Sequence, residues 1–576
     1  MKHLFAQLKH YRAATILAPL FKLAEALLEL TVPLIVSQIV DDGIGGGDKT
    51  LIIRASLLLV LIGFVGLLFS VSAQYFAARA AVGSTNRLRR ELFRHVTAFP
   101  FRTVDEIGTP TLETRLTSDV SQVRTGVNLG LRLLLRSPFI VFGALIMAFT
   151  VDTRSALIFS VMIPILFAVA FAVMLTTIPL YRRSQGKLDR VTGLTRENLT
   201  GVRVIRSFGR EDAEVDRFEK ESAELAALNR FVGRIAALLN PLTYVIVNLA
   251  VVVLLRTGAV KIDSGTLTQG ELIALYNYLS QILVELLKLA SLVITINRSL
   301  ASARRIGEIL DRRDSLESLP RETPDPSTPD HVVFRGVGLT YPGAAGEALS
   351  GIDLTVGRGE KLGIIGGTGS GKTTLTGLIP HFYDATKGEV LVDGIDVRAY
   401  PLNDLRAKIG IVMQEPLLFS GTVRDNLKTA NPAATDAEME EALKTAQILD
   451  AVNEKGGLDA VIEQNGRNLS GGQRQRIAIA RALVRSPEIL ILDDSSSALD
   501  YQTDANLSAA LAALPKKTTV LTISQRTSSL RSADRIAVLD EGRLVGLGSH
   551  EELLASCPVY AEIDASQKTA GKEGAV

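Results

Sequence analysis

The chain changes character about halfway along its length. Up to about residue 300 it contains long apolar stretches, and after about residue 330 short apolar runs alternate with glycine and polar turns. A bilayer core of about 30 Å needs about 20 helical residues. The first half therefore predicts membrane-spanning helices, and the second predicts a soluble α/β domain. Six spans are predicted, at 13–40, 51–78, 129–151, 155–181, 236–260 and 268–296.

A segment rich in proline, serine and acidic residues separates the two halves, DRRDSLESLPRETPDPSTPDH at 311–331. This composition is typical of an extended linker. The resulting prediction is a membrane domain at 1–310, a linker at 311–330, a globular domain at 331–566 and a disordered tail at 567–576.

Basic residues are concentrated in the two long loops, 79–124 and 182–234, whereas the short loops 41–50 and 151–154 hold one basic residue each. The positive-inside rule therefore places both long loops and both termini in the cytoplasm. The amphipathic spacing of the long loops predicts that the spans continue as helices into the cytoplasm. We expect a multi-pass protein of the plasma or inner membrane.

The overall composition excludes two classes of protein. The formal net charge is only +2, from 63 Lys and Arg against 61 Asp and Glu, and this balance argues against a nucleic-acid-binding protein. The single cysteine, Cys557, excludes a disulfide framework and any cysteine-based metal site.

The first and sixth spans contain charges that a lipid-facing helix would not tolerate. Lys22, Glu25 and Glu29 share one helix face, and Glu285 and Lys288 lie in the sixth span. Two interpretations remain open: a polar patch that lines a transport route, or interhelical ion pairs that fix the packing. The residues predicted to line a substrate cavity are Lys22, Glu25, Glu29, Glu285 and Asn297.

The second half contains a phosphate-binding motif. The short apolar run LGII predicts a strand, Gly366 to Thr373 follow the pattern G-x-x-x-x-G-K-[ST], and LTGLIPHF predicts a helix. Glycines let backbone N–H groups turn toward phosphates, and the helix N-terminus adds positive charge. The residues expected to hold nucleotide are Gly366, Gly367, Thr368, Gly369, Ser370, Gly371, Lys372, Thr373 and Thr374.

Two further patterns support this site. The run ILILDD at 489–494 predicts a buried strand that ends in Asp493, a candidate Mg²⁺ ligand, and Asp494, where a general base would belong. The run NLSGGQRQRIAIARAL at 468–483 predicts a helix whose first residues, Ser470 to Gln473, can face an anion. A simple helix cap would also explain this serine and glycine pair.

The order of these motifs, followed by SALD at 497–500, resembles the nucleotide-binding domain of ATP-binding-cassette (ABC) transporters. With six preceding spans, the chain resembles an exporter half-transporter. The implied fold is an all-α membrane domain of six helices with long cytoplasmic extensions, followed by an α/β P-loop ATPase with antiparallel β and helical subdomains. The resemblance implies ATP and Mg²⁺ as ligands, Tyr341 on adenine, Thr373, Gln414 and Asp493 near Mg²⁺, Ser470, Gly471, Gly472 and Gln473 on a partner's ATP, and Asp500 between paired domains.

The chain departs from the family pattern at two positions. Asp494 occupies the place of a glutamate, and Gln525 occupies the place of a histidine. An Asp carboxylate is one methylene shorter than that of Glu, and a glutamine cannot become cationic. Because phosphoryl transfer depends on positioning, slow hydrolysis at this chain's own site is expected.

A subunit with these two departures resembles one half of a heterodimeric exporter that moves a small amphipathic molecule across the lipid membrane. The partner would be a second half-transporter, and no nucleic acid is expected. The short helices that couple to nucleotide domains are expected near 102–110 and 188–197. Two alternatives remain: a homodimeric exporter of lipid or peptide, and an ATP-gated channel or sensor.

Overall fold

The computed structural model describes residues 1–316, 318–320, 328–341, 343–495, 498–514 and 518–573. Two compact units emerge, one of residues 1–98 and 107–313, the other of residues 99–106 and 314–576. The segment 99–106, from the first cytoplasmic loop, thus belongs to the second unit.

The first unit is entirely helical within the described residues. Long helices make up most of it, and polar side chains cap their N-termini. Asp48 accepts hydrogen bonds from two backbone N–H groups at the start of the helix Lys49–Thr97. Thr268 forms a reciprocal cap with Glu271 at the start of the helix Gln269–Leu310. The helices of the first 313 residues, of which α4 belongs to the second unit except for its last residue, are α1 (Lys2–Leu8), α2 (Arg12–Gln38), α3 (Lys49–Thr97), α4 (Phe101–Ile107), α5 (Thr109–Thr114), α6 (Val120–Leu133), α7 (Arg136–Val151), α8 (Thr153–Thr200), α9 (Val202–Ser207), α10 (Glu211–Ala237), α11 (Leu239–Asp263) and α12 (Gln269–Leu310).

Six helical runs among the described residues are long and apolar enough to cross a bilayer, as predicted. Helices α3 and α8 contain 49 and 48 residues, which is about 70 Å at 1.5 Å per residue. That length is about twice a bilayer core. The helices therefore continue well beyond the membrane, as the amphipathic loops indicated.

The second unit is built on two main sheets. An antiparallel sheet has the strand order β2-β1-β4-β5, and a mostly parallel sheet has the order β12-β11-β3-β10-β9-β6. A third, two-stranded sheet pairs β7 with β8. The strands are β1 (Asp330–Leu339), β2 (Leu349–Gly357), β3 (Lys361–Gly366), β4 (Lys387–Val392), β5 (Ile395–Asp396), β6 (Ile409–Val412), β7 (Gly421–Thr422), β8 (Val461–Ile462), β9 (Ile489–Asp493), β10 (Thr519–Ile523), β11 (Arg535–Asp540) and β12 (Arg543–Gly548).

Helices surround the parallel sheet and form a separate helical subdomain between β6 and β9. One apolar core, which includes Phe334, Leu349 and Ile364, joins the two main sheets. A second core, which includes Met439, joins the helical subdomain to β9. The helices are α13 (Lys372–Leu378), α14 (Leu402–Lys408), α15 (Val423–Lys428), α16 (Asp436–Thr445), α17 (Leu449–Asn453), α18 (Gly471–Leu483), α19 (Tyr501–Ala512), α20 (Thr527–Leu530), α21 (His550–Ser556) and α22 (Pro558–Glu573).

The ends of this unit refine the predicted boundaries. Strand β1 begins at Asp330, close to the predicted start at 331. Part of the predicted linker, 317 and 321–327, lies outside the described residues. Helix α22 extends to Glu573, into the segment for which a disordered tail was predicted; residues 574–576 lie outside the described range.

A buried ion network joins the two main sheets. Asp393 is fully buried and pairs with Lys408 at 2.7 Å and with Arg358. His331 lies 3.4 Å from the same carboxylate, and burial lowers the pKa of His331 to about 4. His331, Asp393 and Glu488 could together approach a cation. The two basic residues already balance the two carboxylates, so we interpret the network as structural.

Candidate nucleotide-binding site

The phosphate-binding loop lies between a buried strand and a helix, as the sequence indicated. It leaves β3 at Gly366 and enters α13 at Lys372. The Lys372 ammonium donates to the carbonyl oxygens of Gly366 at 3.0 Å and Gly367 at 2.6 Å. The loop is therefore folded around its own lysine.

Two glycines of the loop are required by close backbone approaches. A Cβ at Gly366 would lie 2.0 Å from the Leu539 carbonyl oxygen on the neighbouring strand β11. Gly371 has φ +93° and caps α13, and a Cβ there would lie 2.8 Å from the Ala348 carbonyl oxygen. Larger residues would displace the loop from the sheet.

Two adjacent carboxylates stand at the same edge of the sheet. The parallel register aligns Ile523 of β10 with Ile364 of β3 and with Asp493 of β9. Strand ends at one edge of an open α/β sheet form its ligand crevice. Burial raises the pKa of the Asp493 carboxyl, and the side chain of Thr373, the first residue after the loop lysine, lies close enough to oppose that shift. The predicted Mg²⁺ ligands Thr373 and Asp493 thus lie close together.

Burial shifts the pKa values of the charged groups at this edge of the sheet. Burial raises the pKa of both Asp493 and Asp494, and for Asp493 the neighbouring Asp494 carboxylate adds to the shift. Burial lowers the pKa of Lys372, and both carboxylates oppose that shift. The arrangement holds one ammonium and two carboxylates in a poorly solvated space.

The backbone at Asp494 is constrained. Its φ is +44°, in the left-handed region that Asp tolerates better than most residues. Its N–H donates to the Ile523 carbonyl oxygen at 3.0 Å. These two features fix the position of the Asp494 Cα, from which the side chain extends.

The loop after β10 carries Gln525, whose side chain is exposed. The terminal helix α22 holds the backbone of this loop. Gln567 donates to the Gln525 carbonyl oxygen at 2.6 Å and accepts from the Thr527 N–H at 3.0 Å. The Thr527 hydroxyl donates to the buried Asp564 at 2.8 Å. The sequence of α22 gave no sign of this contact.

Tyr341 lies beside the start of α13. Its hydroxyl is 3.1 Å from the Thr374 hydroxyl, and its ring packs edge-on against Tyr383 at 5.4 Å between centroids. The Tyr383 hydroxyl donates to Asp105 of α4 at 2.5 Å. A continuous line of contacts therefore runs from the phosphate-binding helix to the segment 99–106.

Residues Ser470 to Gln473 begin α18 with a reciprocal cap. The Ser470 hydroxyl accepts from the Gln473 N–H at 3.2 Å, and the Gln473 side chain accepts from the Ser470 N–H at 3.1 Å. Among the described residues, this motif makes no hydrogen bond to the phosphate-binding loop. Gln414 is exposed beyond β6, whose Val412 pairs with Leu492.

The SALD segment at 497–500 is described only in part. Residue 497 and its neighbour 496 lie outside the described range. Asp500 caps α19 by accepting from the Thr503 N–H at 3.1 Å.

Comparison with known proteins identifies both halves. Residues 15–286 match the ABC transporter transmembrane region, and residues 349–497 match the ABC transporter domain. An uncharacterized ABC transporter ATP-binding protein of Mycobacterium tuberculosis is 38% identical over 575 residues, covering 99% of this chain and 98% of that protein. The chain belongs to the ABC transporter family. It is a half-transporter of the exporter type, with a membrane domain fused to a cytoplasmic nucleotide-binding domain.

Two further relatives place this ABC transporter among exporters. The ATP-dependent lipid A-core flippase of Salmonella typhimurium is 31% identical over 572 residues, covering 98% of this chain and 97% of that protein. A bacterial Atm1-family ABC exporter with ATP bound superposes with a TM-score of 0.79 at 26% identity, covering 97% of this chain and 98% of that one. ATP-driven export across a membrane follows, together with the dimeric assembly of such exporters.

The charged residues of the transporter's membrane domain form ion pairs. Lys22 bonds Glu25 at 2.8 Å on α2 and reaches Ser70 of α3 at 3.1 Å. Arg136 of α7 bonds both Glu29 of α2 and Glu285 of α12 at 2.6 Å. We call Lys22, Glu25, Glu29, Arg136, Glu285 and Lys288 the membrane charge cluster.

These contacts bear on the two interpretations of the charged spans. The cluster contains three basic and three acidic residues, all paired with one another. Arg136 and Glu285 are buried, as interhelical packing requires. Asn297 is exposed and lies twelve residues beyond Glu285 on α12, about 18 Å along the helix. The pairing supports the packing interpretation, and a role in a substrate cavity remains a prediction.

The turns of the two long cytoplasmic loops differ from expectation in one case. Helix α4 covers Phe101–Ile107 and overlaps the first expected region, 102–110, from its second residue onward. The second expected region, 188–197, lies inside the continuous helix α8. The turn actually occurs at Gly201, and the short helix there is α9; Gly193, inside the expected region, is accommodated within α8.

Sequence reasoning missed several residues of these sites. Arg136 is the hub of the membrane charge cluster, and its presence inside a predicted span was a usable signal. Tyr383, Asp105 and Gln567 gave no local signal, because their partners are distant in sequence.

Proposed function

We propose that this transporter subunit forms one half of a heterodimeric exporter, binding ATP at its own site but hydrolysing it slowly. The observation that carries the proposal is Asp494. Its backbone is bonded to Ile523 and sits at φ +44°, so the strand end cannot readily advance to compensate for a shorter carboxylate. A small misplacement of this kind can cost about 10²-fold in rate.

Nucleotide binding itself is supported by the geometry of the loop. The glycine-lined turn around Lys372 fits a phosphate chain, and Lys372 is the group that would reach the β- and γ-phosphates. Thr373 and Asp493 offer the oxygen ligands that Mg²⁺ prefers. Bound there, Mg²⁺ would neutralise phosphate charge. Tyr341 would stack on the adenine.

Gln525, the second departure from the family pattern, should also slow hydrolysis. Gln525 cannot supply a positive charge to the γ-phosphate, and Gln567 fixes the backbone that carries it. Gln414 would face the same nucleotide from the end of β6. Ser470 to Gln473 would complete the active site of a partner that has Glu and His at these two positions.

The proposed coupling route uses the two cytoplasmic turns. Helix α4 contacts this chain's own nucleotide domain, where Phe101 packs on Phe382 at 4.3 Å. Around α9, Val204 and Phe208 are 60% and 75% exposed. Exposed apolar residues on a cytoplasmic turn favour a protein contact, and we assign it to the partner's nucleotide domain.

The proposed cargo is a small amphipathic molecule. The lipid A-core flippase among the relatives specifically favours a lipid-like one. Vesicles containing a fluorescent lipid test this: ATP-dependent movement between leaflets supports it, and movement of a water-soluble cationic dye alone would contradict it.

Purified chain without a partner tests the asymmetry. Its ATPase rate should be low, and Asp494→Glu combined with Gln525→His should raise it by about 10²-fold. Binding of a fluorescent ATP analogue should change little, since Lys372 and Asp493 are untouched. Brisk ATP turnover by the unmodified chain, abolished by Asp494→Asn, would show that the chain works as a homodimer.

A further inference from the structure

A basic cavity lies in the cytoplasmic part of the membrane unit, apart from the nucleotide site and the membrane charge cluster. Helix α1 runs along α3 here, and the end of α12 closes one side. The cavity has a volume of about 570 Å³. Its polar lining consists of Gln7, Arg87, Arg90, Glu91, Arg94 and His95.

Three arginines point along one face of α3 at this place. Arg87, Arg90 and Arg94 have the spacing i, i+3, i+7, so they are neighbours on the helix surface. Like charges at such spacing repel and destabilise a helix. An anion bound between them would remove this cost.

The first arginine is held in position by Gln7 and His10. The Arg87 Nε donates to the Gln7 side-chain oxygen at 3.0 Å, and a terminal nitrogen lies 3.2 Å from the His10 ring. Among the described residues, neither contact brings a carboxylate to the Arg87 guanidinium. Arg87 is thus oriented without being neutralised.

The nearby acids do not balance the other two arginines. Glu91 accepts from Gln7 at 2.7 Å and lies 3.6 Å from His3. Asp311 also bonds His3, at 2.9 Å. Within the described part of the chain, the side chains of Arg90 and Arg94 form no hydrogen bond or ion pair. The lining therefore carries unpaired positive charge.

The predicted end of the second span places the cavity on the cytoplasmic side of the lipid headgroups. Arg87 is nine residues past the predicted end of the second span at 78, about 14 Å along the helix. Headgroups extend only about 5–8 Å beyond the apolar core. Arginine side chains at this position on α3 can reach toward the lipid headgroups or toward the cytosol.

We propose that this cavity binds a phosphate group, carried by an anionic phospholipid or by a soluble phosphate compound. Arginine forks match phosphate oxygens in pairs and bind them more strongly than neutral donors do. Arg87, fixed by Gln7 and His10, is the preformed part of the site. Arg90 and Arg94 complete it.

Thermal unfolding of the full chain in neutral detergent tests the proposal. The ligands are dihexanoylphosphatidylglycerol, dihexanoylphosphatidylcholine and inorganic pyrophosphate, each with saturating ADP so that the glycine loop is already filled. A ligand that binds the folded chain raises its Tm. Stabilisation by phosphatidylglycerol alone identifies a lipid source, and stabilisation by pyrophosphate identifies a soluble one.

The double variant Arg90→Gln, Arg94→Gln should weaken the apparent affinity by roughly twenty-five-fold, at about five-fold per basic residue. Both side chains are exposed, so the ligand-free Tm should not fall, and it should rise slightly as the repulsion between the arginines is removed. The matched control is Arg182→Gln, Arg183→Gln, which removes two exposed charges at the end of the fourth span. The proposal is overturned if neither phosphate ligand stabilises the chain, or if both double variants lose the effect equally.

Discussion

The phosphate-binding loop and the membrane charge cluster are both polar sites in apolar surroundings, but they are built differently. The loop is a run of consecutive residues, Gly366 to Thr374, whose shape comes from its backbone. The cluster brings Glu29, Arg136 and Glu285 together from three helices. The loop therefore depends on the absence of side chains, and the cluster depends on the balance of their charges.

Removing the hub of the cluster is expected to have the largest effect. Arg136→Gln leaves the buried Glu285 without its closest cation and should destabilise the membrane unit by about 3–5 kcal/mol. The measurement is the thermal unfolding of the full chain in detergent. Arg256→Gln, which removes an exposed arginine from α11, is the matched control and should have little effect.

Neutralising the acids tests whether charge balance is the cause. Adding Glu29→Gln and Glu285→Gln to Arg136→Gln should restore most of the lost stability, because a fully neutral buried group costs less than an unpaired carboxylate. If the triple variant stays as unstable as the single one, the arginine acts through its packing and the comparison with the loop fails.

The loop should respond to added volume instead of lost charge. Gly366→Ala places a Cβ 2.0 Å from the Leu539 carbonyl oxygen, whereas a Cβ at Gly367 meets no atom within 4 Å. We expect Gly366→Ala to lower the stability of the nucleotide domain by about 2–3 kcal/mol, and Gly367→Ala to change it by about 0.5 kcal/mol or less. Both are measured by unfolding without nucleotide. Equal effects would contradict the role of the close approach to β11.

The same difference explains what the sequence could predict. The strand, loop and helix around Lys372 follow from adjacent residues, and so do the six apolar spans. Arg136 and its two partners are distant in sequence, and only the charge of each was visible. Helix α9 was misplaced because Gly186, Gly193 and Gly201 all lie in this stretch, and only the last of them marks the turn.

The terminal helix α22 is another element that the sequence alone did not predict. Its polar, alanine-containing composition suggested disorder, but Asp564 and Gln567 are held by the loop that carries Gln525. A tertiary contact of this kind overrides a weak local preference. Neither the membrane cluster nor this clamp has a periodic pattern that a single sequence reveals.

The ion network of the nucleotide domain extends the comparison to pH. Because the folded chain holds the pKa of His331 near 4, below its ordinary 6.5, the unfolded chain binds a proton first as the pH falls. Stability is then full above pH 6.5 and is lost progressively toward pH 4, by about 2 kcal/mol at pH 5. His331→Gln should reduce the fall in Tm between pH 7.5 and pH 5. An unchanged fall would assign the pH dependence to other groups.

The smallest expected effect concerns the contact between Tyr383 and Asp105. Tyr383→Phe keeps the ring against Tyr341 but removes the 2.5 Å hydrogen bond to α4, at a cost of about 1 kcal/mol. Amide hydrogen exchange in residues 101–107 should therefore become about five-fold faster, while ATP binding is unchanged. Tyr560→Phe, which removes a hydrogen bond to His550 elsewhere in the domain, is the control and should leave this segment alone. If exchange in 101–107 does not change, the packing of Phe101 on Phe382 is sufficient to hold α4, and side-chain polarity matters less here than in the membrane charge cluster.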